Sequence, residues 1–107
     1  MTFQVLLSGD AEGDIEDIYD FVTRQDGAAR ADDLLTDLET ACDSLADFPE
    51  RGNVPKELSP LGMTEFREIH VKPYRILYRI FAGRVIVYGV FDGRRDMQSL
   101  LQRRLLR

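Results

Sequence analysis

The stretch FREIHVKPYRILYRIFAGRVIVYGVFD, residues 66–92, decides the fold of this chain of 107 residues. It contains three runs rich in β-branched and aromatic residues, which favour strands. The breaks between the runs are Lys72-Pro73 and Ala82-Gly83, and connections this short join antiparallel neighbours. The stretch therefore predicts a three-stranded meander with strands at 66–71, 74–81 and 84–91.

The middle strand alternates between two kinds of face, as a half-buried antiparallel strand does. One face carries Tyr74, Ile76, Tyr78 and Ile80, and the other carries Arg75, Leu77, Arg79 and Phe81. Arginine beside aromatic and aliphatic side chains is a composition typical of protein interfaces. We expect the second face to be a docking surface rather than a pure core face.

The residues before the meander predict a strand and two helices. Phe3 to Leu7 is a short apolar run, and Ser8 is placed to cap a helix that ends near Arg24. A second amphipathic helix has its apolar stripe between Ala31 and Leu45. Prolines and glycines over residues 49–62 indicate a long loop.

Asp96 is placed to cap a last helix over residues 97–107. The element order is therefore β-α-α-β-β-β-α in one domain, residues 1–107. We expect an α+β fold of two layers, with the helical hairpin packed on a four-stranded, mainly antiparallel sheet.

Charge is divided unevenly between the two halves of the chain. Residues 1–53 hold 3 basic and 14 acidic side chains, a net charge of −11, and residues 54–107 hold 11 basic and 5 acidic ones, a net charge of +6. The total of −5 argues against a general nucleic-acid binder, because affinity for phosphate needs clustered Lys and Arg. Such segregation predicts two electrostatically different faces.

Other site classes find little support. Cys42 is the only cysteine and lies on the predicted helical stripe, so we interpret it as a buried thiol in a reducing cytoplasm. No apolar run is long enough to span a membrane. No Cys/His metal cluster, phosphate-binding glycine motif or Ser/His/Asp arrangement is visible, and we expect no metal and no cofactor.

Several segments together resemble the RelE/ParE family of toxins over nearly the whole chain. They are Arg67-Glu68-Ile69-His70-Val71, Tyr74-Arg75-Ile76-Leu77-Tyr78, Asp92-Gly93-Arg94-Arg95-Asp96, the first helix with Ile15, Ile18 and Tyr19, and Phe48-Pro49-Glu50-Arg51-Gly52. The resemblance implies the toxin of a type II toxin–antitoxin module. RelE-like members are ribosome-dependent endoribonucleases, whereas ParE-like members inhibit DNA gyrase without known chemistry of their own.

Metal-free RNA cleavage needs a base, an acid and cations around the phosphate. RelE-like nucleases often carry a Tyr or His near the C-terminus, but here no tyrosine follows Tyr88, and the last helix is made of leucines and arginines. This departure favours the ParE-like branch. His70 is interpreted as a structural strand residue. In the nuclease alternative, Arg67, Arg75 and Arg79 would form the phosphate-binding set, although they could equally be solvent-side residues paired with glutamates.

The leading hypothesis is therefore a cytoplasmic, ParE-like toxin associated with plasmid stabilisation and growth arrest. Its expected partners are DNA gyrase and a cognate, ParD-like antitoxin in a hetero-oligomer, with no membrane association. The alternatives are a ribosome-dependent mRNA endonuclease and a family member that binds without toxicity. The candidate target- or antitoxin-binding residues are Arg67, Arg75, Leu77, Arg79, Phe81, Arg94 and Arg95.

Overall fold

The computed structural model describes residues 2–106 and has the predicted order of elements. The strands are β1 (Gln4–Leu7), β2 (Phe66–Val71), β3 (Tyr74–Phe81) and β4 (Arg84–Asp92), and the helices are α1 (Gly9–Asp26), α2 (Ala28–Ser44) and α3 (Met97–Leu105). A single 3-10 turn, Ser59–Leu61, lies in the long loop between α2 and β2. The last helix thus ends before its predicted end, and Arg107 lies outside the described residues.

Both predicted N-caps are present. The hydroxyl oxygen of Ser8 accepts a hydrogen bond from the backbone N–H of Ala11 at 3.1 Å, and a carboxylate oxygen of Asp96 accepts one from Ser99 at 3.2 Å. These bonds satisfy N–H groups that the helix itself leaves without a partner. α1 continues to Asp26, past the predicted end, and Gly27 with φ 92° separates it from α2.

The four strands form one sheet in the order β1-β4-β3-β2. β1 runs parallel to β4, and the other two pairs are antiparallel. The turn between β3 and β4 places Ala82 at φ 52° and Gly83 at φ 76°. Two successive positive φ angles match the tight hairpin turn whose twist suits antiparallel strands.

Helices pack on both faces of the sheet, so the fold has three layers rather than the two expected. Ile76 and Tyr78 pack with α1 and α2 in one core cluster, while Leu77 between them packs with Met97 and Leu101 of α3 in a second cluster. Adjacent residues of a strand point to opposite faces, so α3 lies on the opposite side of the sheet from α1 and α2. The sequence showed α3 to be amphipathic but not which face of the sheet receives it.

The turn at Ala82 provides a test of this geometry. An L-residue with a Cβ is strained at positive φ, by about 1–2 kcal/mol, whereas glycine is not. We expect Ala82→Gly to raise the free energy of unfolding by about 0.5–1 kcal/mol in urea denaturation. Ala29→Gly, at an exposed helical position, should lower it by a similar amount, and a loss of stability in both variants would contradict the turn geometry.

Candidate functional site

The most buried polar cluster of the described chain is centred on Arg75. Its Nε donates to Glu68 at 2.6 Å, and its two terminal nitrogens donate to the two carboxylate oxygens of Glu57 at 3.0 and 2.6 Å. The side chains of Arg75, Glu57 and Glu68 are only 12%, 11% and 7% exposed. All three guanidinium nitrogens are therefore bonded to carboxylates within the fold.

The loop between α2 and β2 builds this cluster. Asn53 exchanges two backbone hydrogen bonds with Glu68 on the outer edge of β2, at 3.1 and 2.7 Å. The Asn53 amide also donates to the second carboxylate oxygen of Glu68, which lies 3.3 Å from Nε2 of His70. This pairing covers part of an exposed sheet edge and brings Glu57 to Arg75.

The ion pairs shift the pKa values of both partners. Hydrogen bonds from Arg75 hold the pKa of the Glu57 carboxyl below its ordinary value, and the same bonds raise the pKa of Arg75. The guanidinium therefore stays charged at neutral pH, where Glu57 is ionised and pairs with it. The carboxylates of Glu57 and Glu68 surround it, and their negative charge would repel a phosphate.

Arg67 lies on the opposite face of the sheet from Arg75 and Arg79. It pairs in register with Tyr78, whereas Arg79 pairs with Phe66, and residues that alternate along a strand point to opposite faces. The predicted set of Arg67, Arg75 and Arg79 as one phosphate-binding patch is therefore wrong in its geometry.

Arg67 and Tyr78 hold the loop that starts at Pro49. Arg67 donates to the carbonyl of Gly52 at 2.8 Å. The Tyr78 hydroxyl donates to the carbonyl of Pro49 at 2.6 Å and accepts a hydrogen bond from the N–H of Gly52 at 3.0 Å. A Cβ on Gly52 would lie 2.6 Å from the Tyr78 hydroxyl oxygen, so only glycine fits there. Arg67 and Tyr78, which belong to the segments that resemble the RelE/ParE family, therefore stabilise the loop that carries Glu57.

The other candidate residues occupy different surroundings. Leu77 is 2% exposed beneath α3, so it is not on the surface of this structure. Phe81 is 56% exposed, with the Arg79 guanidinium 5.1 Å from its ring centroid. Arg94 donates to Asp92 at 2.7 Å in an exposed pair, and Arg95 is exposed. The structure brings together Arg79 and Phe81, and separates both from Arg67 and Arg94.

Sequence reasoning missed the ion pair between Asp14 of α1 and Arg104 of α3. The guanidinium donates to both carboxylate oxygens at 3.0 Å and to the carbonyl of Tyr88 at 2.9 Å. Asp14 also accepts from the N–H of Val90 at 2.9 Å. Asp14 follows the buried Ala11 by three positions and so borders the apolar stripe of α1.

Cys42 is not a reactive thiol, and the described residues form no metal site. Cys42 is 4% exposed, and burial raises the pKa of its thiol to about 11, so it is protonated at neutral pH. Within residues 2–106, no three His, Cys, Asp or Glu side chains converge as a metal site would require. None of the helices described is long and apolar enough to cross a membrane.

The ion pair of Asp14 predicts a loss of stability on truncation. Asp14→Ala removes an acceptor from Arg104 and from the Val90 N–H, so we expect the free energy of unfolding to fall by about 2 kcal/mol. Asp17→Ala, on the exposed side of the same helix, should change it by no more than about 0.5 kcal/mol. Equal effects of the two substitutions in urea denaturation would contradict a specific role for Asp14.

The pKa of Glu57 predicts a pH dependence. Because the pKa is lowered on folding, the ionised carboxylate contributes stability above its unfolded pKa of about 4.3, and this contribution is lost as pH falls through the lower folded pKa. The free energies of unfolding of wild type and Glu57→Gln should therefore differ at pH 7, and the difference should shrink as the pH falls below about 4.3. The exposed Glu65→Gln serves as control and should follow wild type throughout.

Known proteins share this sequence pattern and this fold. Toxin ParE3 of Caulobacter vibrioides is 28% identical over 98 residues, which cover 92% of this chain and 94% of that protein. A solved chain of the chromosomal ParDE toxin–antitoxin system of P. aeruginosa has a TM-score of 0.72 at 14% identity, covering 85% of this chain and 96% of that one. A chain of the RelBE2 toxin–antitoxin complex of Mycobacterium tuberculosis has a TM-score of 0.58 at 20% identity, covering 86% and 99%.

At such identities the two solved structures show a common fold and no more. The family model of ParE toxins of type II toxin–antitoxin systems (parDE) matches residues 5–97, from β1 to the start of α3. The match confirms the resemblance that the sequence segments indicated, and the chain belongs to the ParE toxin family of type II toxin–antitoxin systems.

Proposed function

We propose that this toxin acts by binding rather than by RNA cleavage, that it inhibits DNA gyrase, and that a cognate antitoxin neutralises it. One observation carries the preference for binding. Arg75, the arginine of the Tyr-Arg-Ile motif, is bonded through all three nitrogens to Glu57 and Glu68. A guanidinium in that position stabilises the fold and is a poor ligand for a phosphate.

The nuclease alternative has one feature in its favour. His70 is 46% exposed and lies 3.3 Å from the carboxylate of Glu68, a pair that could in principle exchange protons with a substrate. Cations around the scissile phosphate would also be required, yet the arginine beside this pair is already neutralised by two carboxylates. The net charge of −5 further disfavours approach to ribosomal RNA.

An antitoxin partner is supported by the relatives and by the surface. The solved relatives belong to toxin–antitoxin systems, ParDE and RelBE2. This chain also leaves large apolar side chains exposed in several regions, and any of them that lie together would mark an interaction surface. They are Leu6, Phe21, Phe48, Leu61, Phe81 and Leu106. We infer a cytoplasmic hetero-oligomer in which the antitoxin covers part of this surface.

The two target hypotheses predict opposite results for one pair of assays. The purified chain should block DNA supercoiling by gyrase, and it should leave ribosome-bound mRNA intact. His70→Ala, at a half-exposed position, should retain both the growth arrest and the gyrase inhibition. If the wild-type chain cleaves ribosome-bound mRNA, His70→Ala does not, and gyrase is unaffected, the protein is an endoribonuclease instead. Induced expression without growth arrest would indicate a family member that binds without toxicity.

A further inference from the structure

On the α3 side, the end of the sheet near Arg84 is not covered by α3. The strand registers align Leu6, Ile86 and Arg79 in one cross-strand row, and Gln4, Arg84 and Phe81 in the next. Residues paired directly across strands share a face, and Arg79 is on the same face as Leu77, which α3 covers. These two rows therefore lie beside α3, on the same side of the sheet.

We call Leu6, Arg79, Phe81, Arg84 and Ile86 the open sheet patch. Leu6 is 37% exposed and Phe81 is 56% exposed, while Ile86 is partly exposed. None of these three apolar residues belongs to either core cluster of the described chain. The patch is apolar at its centre and carries two arginines, and neither row contains an Asp or Glu.

The two arginines of the patch differ from the other strand arginines in having no acceptor. Within residues 2–106, the side chains of Arg79 and Arg84 make no hydrogen bond and no ion pair, whereas those of Arg67 and Arg75 do. The Nε of Arg79 is also excluded from solvent without a partner. A solvent-excluded N–H donor without an acceptor destabilises the free chain, and a carboxylate bound beside the guanidinium would offset that cost.

We propose that the open sheet patch binds an acidic, apolar segment of the antitoxin. Carboxylates of that segment would pair with Arg79 and Arg84, and its apolar side chains would pack on Leu6, Phe81 and Ile86. This inference rests on the proposed function, since it names the chemistry of the antitoxin that the toxin would recognise.

Charge and composition favour a protein over a nucleic acid as the occupant. The chain has a net charge of −5, and residues 1–53 alone carry −11, so long-range electrostatics repel a polyanion. A peptide segment brings only a few carboxylates and can also bury the apolar centre of the patch. A single-stranded RNA is the alternative occupant, and its binding to the patch can be measured directly.

The experiment co-expresses the tagged chain with the products of its two flanking reading frames. Whichever product copurifies is tiled as overlapping 15-residue peptides, and binding to the full-length chain is followed by fluorescence polarisation. We expect the peptide that depends on the patch to combine Asp or Glu with apolar residues. Its Kd should rise at least about tenfold in Arg84→Glu and in Phe81→Ser, both at exposed positions, and in Arg79→Met.

Arg30→Glu makes the same charge change at an exposed position on α2 and should leave that Kd unchanged. Circular dichroism and thermal unfolding would verify that the variants fold. If neither flanking product binds the wild-type chain, the proposed antitoxin fails and this inference with it. If one binds but no peptide is sensitive to the patch variants, the inference alone is overturned. Patch variants that lose binding only to a 20-nucleotide single-stranded RNA would overturn the class of partner.

Discussion

β1 is too short to pair with the whole of β4, and the rest of the structure depends on how that mismatch is resolved. β1 ends at Leu7, opposite Val87, while β4 continues to Asp92. Past this point the Val90 N–H bonds to Asp14 and the Tyr88 carbonyl accepts from Arg104. One ion pair thus substitutes for the missing strand and ties α1, β4 and α3 together, because an unpaired backbone group inside a sheet is costly.

The segments that resemble the RelE/ParE family do not by themselves reveal a functional site, because their polar side chains also make hydrogen bonds within the fold. Arg67 and Tyr78 hold the loop at Pro49 and Gly52, and that loop places Glu57 against Arg75. These motif residues are needed to assemble the layers, so their presence indicates the fold more directly than a chemistry. The side chains in these segments that have no partner within the chain are the ones available to bind another molecule.

The sequence predicted the elements well because periodicity, caps and short turns are local properties. Ser8 and Asp96 cap helices and the meander has its predicted strands. The site was predicted less well, because its contacts join distant positions: Arg104 meets Asp14, and Glu57 from an irregular loop meets Arg75. Alternation within β3 grouped Arg75 with Arg79 correctly, but only the register between strands could put Arg67 on the other face.

The length of α3 accounts for the open sheet patch. Its nine residues form a helix of about 13 Å, whereas the nine residues of β4 extend over about 30 Å. A helix of that length cannot cover both ends of the strand, and Met97 and Leu101 place it at the end that carries Phe91. The end near Arg84 is therefore left without a covering layer. A partner bound there would stabilise the folded toxin by mass action, since it would bury apolar surface that the chain itself leaves in water.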